Sequence, residues 1–415
     1  MTSNPLFKTF VALWQRLIPD ERHRRYLVRA LVMALTLRLA LLGVMYITDL
    51  VLLQHAHPLS QMLDENLRRW DARHYLRLAD VGYTGTGDNR FLMVFFPLYP
   101  FLIRLVNGLL QNYLHSALLI SFVAAVAAGW LLQELMRRQG FDEEHIFRAF
   151  MFFCCLPMAI YTVVPLTESL FLALTLAAFV FAQGGGWFRS GLVGALASAT
   201  RSAGVLLLPA LAVQALLARW PRKQPTTAES TDPEPVDPKP VDMEPAHLKP
   251  SSPLRALWLL LIPTGLGVYL FLNWKIMGHP LAFTTLQAEH WNQGFVWPWE
   301  QLSITLQHLA SDAPGRERFN YYEPRLLAMI AGVLLLIGGR KLPLSWQVYA
   351  WSSFLLFVCA REVISLPRYL YVLFPIYPVL AMWTRRPLVF QAALCLSTLL
   401  MASWFTLYIT GNGAM

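Results

Sequence analysis

Runs of about 20 apolar residues recur along this chain, and each is long enough to cross a hydrocarbon core about 30 Å thick as a helix. Backbone polar groups in hydrocarbon find no water, so a chain built from such runs has few options beyond a helical bundle. Composition agrees, with 56% of the 415 residues hydrophobic and 14% charged, against roughly 25% charged in a soluble domain. The pattern predicts an all-α polytopic membrane protein of about eleven spans, near 26–53, 114–135, 149–164, 168–183, 189–202, 204–218, 254–273, 326–339, 344–360, 366–384 and 388–410. The basic N-terminus leads into a run too long for a signal-peptide core, so no cleaved leader is expected. Cys154, Cys155, Cys359 and Cys395 lie inside apolar runs, which argues for inert thiols and against a disulfide framework. The formal net charge of +9 is read as membrane topology and anionic ligands, not as nucleic-acid binding.

Charge bias orients the spans. Residues 1–25 end in a basic cluster and are expected in the cytoplasm, which puts the first loop, 54–113, outside. Within that loop the segment 91–111 is apolar but carries Pro97, Pro100 and Arg104. If it lies on the outer surface as an interfacial helix, the clusters at Arg137 and Arg138, Arg222 and Lys223, Arg340 and Lys341, and Arg385 and Arg386 all face the cytoplasm. The chain then divides into an N-terminal membrane half, 26–220, and a C-terminal half, 254–415, with an outer loop at 274–325 and the C-terminus outside. Between them, 221–253 is rich in proline and acidic residues, a composition expected to be a disordered cytoplasmic linker. No Gly-rich nucleotide fingerprint or internal repeat is evident, and the second absence counts against an inverted-repeat transporter.

The densest charge lies in Arg69-Trp70-Asp71-Ala72-Arg73-His74-Tyr75-Leu76-Arg77-Leu78-Ala79-Asp80-Val81-Gly82-Tyr83, with Phe96-Pro97-Leu98-Tyr99-Pro100 following. As a helix, it would align Arg69, Arg73 and Arg77 in one basic stripe, set Asp71, His74 and Tyr75 on a neighbouring face, and end at Gly82. Such an amphipathic helix suits the membrane interface. The first outer loop holds six arginines, Arg68, Arg69, Arg73, Arg77, Arg90 and Arg104, on the side that usually lacks them. An anionic ligand would account for that, as would pairing with lipid phosphates. Glu168, Arg201, Arg361, Glu362 and Arg368 fall at outer ends of spans, where ionisable groups are costly and commonly functional. Gln287, Trp291, Trp297 and Trp299 in the later outer loop suit either the face of a sugar or an interfacial aromatic belt. His74, His279 and His290 lack tight metal-ligand spacing.

The pattern Trp70-Asp71-x-x-His74-Tyr75-Leu76-x-x-Ala79-x-x-Gly82-Tyr83, with Phe96-Pro97-Leu98-Tyr99-Pro100, resembles the first-loop signature of the PIG-V-type mannosyltransferases and their prokaryotic relatives. Weaker pieces extend the resemblance: Thr167-Glu168-Ser169-Leu170-Phe171, Ala199-Thr200-Arg201-Ser202-x-Gly204, Pro280-Leu281-Ala282-Phe283 with Gln287 and Trp291, and Pro367-Arg368-Tyr369. The resemblance implies a GT-C-like polytopic fold and hexosyltransferase activity, with a polyprenyl-phosphate-linked sugar donor and an acidic residue in the first loop facing outward. It further implies a lipid or glycan acceptor at the cell membrane, or at the ER membrane in a eukaryote, and no cofactor, although some GT-C enzymes use a divalent metal that Asp71 and Glu168 could hold.

The chemistry then assigns roles. An attacking hydroxyl must lose its proton, and Asp71 is the candidate base, with Glu168 the second candidate catalytic carboxylate. Arg201 and Arg368, helped by Arg73, are expected to meet the departing phosphate. His74, Tyr75, Tyr99, Gln287 and Trp291 complete the expected substrate-binding set. Two other readings stay open on the sequence: a transporter or flippase of an anionic lipid, and a non-catalytic scaffold subunit.

Overall fold

The computed structural model describes residues 20–54, 57–218, 253–310, 322–362 and 365–411. The expected linker lies outside these residues except for Pro253 at its end, as do residues 1–19 of the N-terminal segment. Among the described residues every regular element is a helix, apart from one isolated antiparallel bridge between Phe295 and Ala360. The protein is thus an all-α, multi-pass membrane protein. Among the described residues, four helical stretches are long and apolar enough to cross a membrane: Glu21–Leu52, Tyr113–Arg138, Leu254–Met277 and Pro387–Ile409.

The remaining apolar runs fold as shorter pieces, and two expected spans are broken. The run at 149–164 is a helix, Glu143–Cys155, that stops before Pro157 and passes into a 3-10 turn, Pro157–Thr162. The run at 366–384 is two helices, Leu366–Tyr371 and Ile376–Trp383, separated around Pro375. In each case proline lacks the N–H that would continue the ladder, which hydropathy alone does not register. The segment 91–111 bends by 111° between the 3-10 helix Asp88–Val94 and the helix Leu98–Leu110, so it is not one straight span. The described part of 274–325 holds the helices Ala282–Trp291 and Pro298–Ala310.

Capping residues fix where the long elements begin. The side chains of Asp20, Asn112 and Asp142 accept the backbone N–H groups of Arg22, His115 and His145, satisfying donors that a helix start leaves open. The central packing device is a helical hairpin. Glu168–Gln183 runs one way, Gly184 to Gly186 turn the chain with Gly185 at φ +74°, and Trp187–Ser198 returns alongside. Its second arm is lined with small residues that let backbones touch: a Cβ on Gly191 would lie 2.0 Å from the Trp258 carbonyl oxygen. Because the arms are antiparallel, residues just before the first and just after the second, Thr167 and Arg201, meet at one end of the bundle.

Candidate active site

At that end lies the helix Asp71–Val81. Trp70 precedes it at φ +54°, a left-handed conformation that ordinary side chains rarely adopt. The reversal makes Asp71 the first helical residue, where a carboxylate complements the positive end of the helix dipole. Ala72, Tyr75, Leu76, Leu78 and Ala79 form the buried face. Gly82 closes the helix at φ +76°, as expected, and its N–H donates to the Leu78 carbonyl. The expected stripe of Arg69, Arg73 and Arg77 does not form, because the turn at Trp70 leaves Arg69 ahead of the helix.

Asp71 is held by a residue 297 positions away: Arg368 Nη1 donates to its Oδ2 at 2.7 Å. The same guanidinium uses Nε on Glu168 Oε1. Arg201 Nη1 donates to that oxygen too, at 2.6 Å, and to Thr167 Oγ1 at 3.1 Å. Two carboxylates and two guanidiniums thus form one chain, Asp71, Arg368, Glu168, Arg201. Glu168 is fully buried, and its Oε2 has no partner among the described residues. The side chains of Arg368 and Arg201 are 4% and 12% exposed, whereas that of Asp71 is 33% exposed. Of the two carboxylates, only Asp71 opens to a ligand. The Arg368 guanidinium sits between them, where a shared metal ion would have to lie.

Gly204 sets the position of Arg201. A Cβ there would come within 2.4 Å of the Ser198 backbone nitrogen, so only glycine lets the chain fold back after the hairpin. Tyr369 lies beneath the Arg201 guanidinium at 5.0 Å and Tyr161 beneath that of Arg368 at 5.6 Å, both within cation–π range. Sequence reasoning missed Thr167, Tyr161 and Tyr369 as members of this cluster. Thr167 and Tyr369 did carry a signal, standing next to Glu168 and Arg368 in the motifs Thr167-Glu168-Ser169 and Pro367-Arg368-Tyr369, while Tyr161 carried none.

The other expected site residues form a wall beside Asp71. His74 stacks on Phe95 at 5.2 Å and meets Trp291 edge-on at 6.1 Å. Burial lowers the imidazole pKa below its ordinary 6.5, Arg73 and His290 push the same way, and Asp71 opposes. Tyr75 is packed between Phe95 and Tyr99. Tyr99 is fully buried, bonded to Ser121 Oγ at 3.0 Å and to the Ala117 carbonyl, so it supports the wall from behind. Gln287 lies on the Trp291 helix, one turn before the tryptophan. Most of the arginines of the 54–113 loop have protein partners: Arg68 with Asp64, Arg77 with Asp80, Arg90 with Glu289, and Arg104 with the carbonyls of Ala79 and Asp80. Arg73 remains exposed next to the site. Glu362 pairs with Arg325 and not with the Asp71–Glu168 chain.

Residues 54–220 match the family described as Mannosyltransferase (PIG-V). The curated relatives include the GPI alpha-1,6-mannosyltransferase 2 of Cricetulus griseus, 33% identical over 150 residues, which are 34% of this chain and 30% of that protein. The Mus musculus protein of the same name is 31% identical over 163 residues, 37% of this chain and 32% of its own length. The chain therefore aligns with about a third of the length of these relatives. No solved structure matches it. Asp71, Glu168 and Arg201 lie inside the matched region and Arg368 beyond it; across residues 54–220, which hold the Asp71 helix and the central hairpin, this chain is similar to the PIG-V-type mannosyltransferases.

Proposed function

We propose that the protein is a membrane mannosyltransferase that takes its sugar from a polyprenyl-phosphate donor and passes it to a lipid- or glycan-linked acceptor. The observation that carries this reading is the half-open Asp71 carboxylate, fixed by Arg368 at the edge of a buried ion chain. Its Oδ2 is oriented by the guanidinium, and no described residue donates to its Oδ1. A hydroxyl brought to Asp71 would give up its proton there as its oxygen bonds to the anomeric carbon. The bond from that carbon to the phosphate oxygen breaks, and the electron pair leaves with the lipid phosphate. Arg201, held on Glu168, and the exposed Arg73 would meet the developing charge. Arg368, committed to both carboxylates, acts as a positioning residue, and Glu168 anchors the two arginines from behind. The wall of His74, Phe95 and Trp291 gives apolar ring faces of the kind that pack against a sugar.

The positive-inside bias supports placing this end of the bundle on the outer face. Cysteine labelling with an impermeant reagent in intact cells should modify a cysteine placed at residue 74 and spare one placed at residue 137. The activity is tested by lipidomics of a deletion strain, which should accumulate a glycolipid or glycan short by one hexose. Purified protein should then add that hexose from polyprenyl-phosphate-mannose. Movement of the donor across vesicles without a new glycosidic bond would refute the transferase reading in favour of a flippase.

A further inference from the structure

At the opposite end of the central hairpin lies a cavity of about 620 Å³ that the proposed chemistry does not use. Val180, on its wall, is twelve residues along the helix from Glu168, or about 18 Å at 1.5 Å per residue. We propose that this cavity binds the phosphate headgroup of an anionic phospholipid, a role independent of the transferase reading.

Charge is the first argument. Among the described residues Glu134 is the cavity's one carboxylate, and Arg137, Arg138 and His23 already pair with it. Arg189 and Arg255 also line the cavity, both exposed, and neither makes a hydrogen bond or ion pair among the described residues. The second argument is an orphaned donor. Trp187 is 2% exposed, lines the same cavity, and its indole N–H has no partner among the described residues; a buried N–H without an acceptor is costly and rare. Close approach is the third. The turn at Gly184 to Gly186 has no side chains, and the Arg138 guanidinium lies 3.6 Å from where a Gly184 Cβ would be, so a ligand can come against backbone. Apolar walls separate a lipid from a free phosphate. Leu131, Val180 and Phe181 continue to Phe188 and Trp258, which pack edge to face at 5.0 Å and are each 49% exposed. Those surfaces suit the start of acyl chains and offer an inorganic ion nothing.

The test is native mass spectrometry of the purified full-length protein in detergent, with phosphatidylglycerol as the probe and phosphatidylcholine as the neutral control. Wild type should retain phosphatidylglycerol preferentially. The double variant Arg189→Gln and Arg255→Gln should weaken retention on the order of tenfold per guanidinium removed, with an unchanged melting temperature because both side chains are exposed. Trp187→Phe, which keeps an aromatic ring but removes the N–H together with the pyrrole half of the indole, should lose a few-fold. Retention by the double variant equal to wild type would overturn the proposal. So would displacement of the lipid by equimolar glycerol 3-phosphate or inorganic phosphate, which would mark a free-phosphate site.

Discussion

Two ionic clusters sit at opposite ends of this bundle, and they are built differently. At one end, Glu134 pairs with Arg137 and Arg138, three and four residues on along the same helix. Those arginines are 29% and 34% exposed, and they bind a carboxylate that is 2% exposed. At the other end, Glu168 is met by Arg201 and Arg368, 33 and 200 residues away, with all three side chains at or below 12% exposure. Apart from His23, which reaches Glu134 from another helix, the first cluster is what helical spacing produces anyway. The second exists only because the fold brings four separate segments together, and dry ion pairs are stabilising only when fully partnered.

The contrast is sharpest at the central carboxylates. Glu168→Gln leaves two buried guanidiniums short of charge, and breaking a buried pair in this way costs about 3–5 kcal/mol. We expect a large fall in melting temperature with loss of activity. Glu134→Gln should cost much less, since Arg137 and Arg138 can turn to water; equal losses in the two purified variants would erase the distinction drawn here. Asp71→Asn should act on rate. Removing a general base typically lowers turnover about 10² to 10⁴-fold, and the half-open carboxylate should make the melting temperature nearly indifferent to the change. Near-normal turnover would remove Asp71 as the base.

Arg368→Lys tests whether geometry or charge matters at the bridge. A lysine keeps the charge but lacks the planar fork that reaches two carboxylates at once. Turnover should fall with donor affinity largely kept, and a double-mutant cycle with Asp71→Asn should show coupling of about 0.5–3 kcal/mol. Additive effects would mean that Arg368 does not orient Asp71. The smallest effect is expected at the other end, where Arg137→Gln should change stability by about 0.5 kcal/mol, as partly exposed pairs do.

What could be read from the sequence follows the same division. Helical class came from apolar run length, and the Asp71 helix with its Gly82 terminus from local pattern, because these depend on neighbours in the chain. Glu168, Arg201 and Arg368 were recognisable as costly polar groups at the ends of apolar runs. That they hold one another and Asp71 was not recognisable, because pairing across 200 residues or more depends on tertiary packing. The arginine stripe failed for a local reason, since no periodicity rule anticipates a tryptophan at positive φ. The broken spans failed because hydropathy averages over the prolines that interrupt them.

The helical hairpin also bears on how the molecule is made. Glu168 and Arg201 leave the ribosome close together and can pair as soon as the two arms insert. Arg368 follows 200 residues after Glu168, so until the C-terminal half docks, Asp71 lacks its partner and Glu168 carries one guanidinium in place of two. Synthesis order thus leaves the buried ion chain incomplete until the C-terminal half supplies Arg368. Expressed as separate polypeptides, 1–220 and 254–415 should each insert yet show activity only together, making turnover a direct report of whether the halves have met.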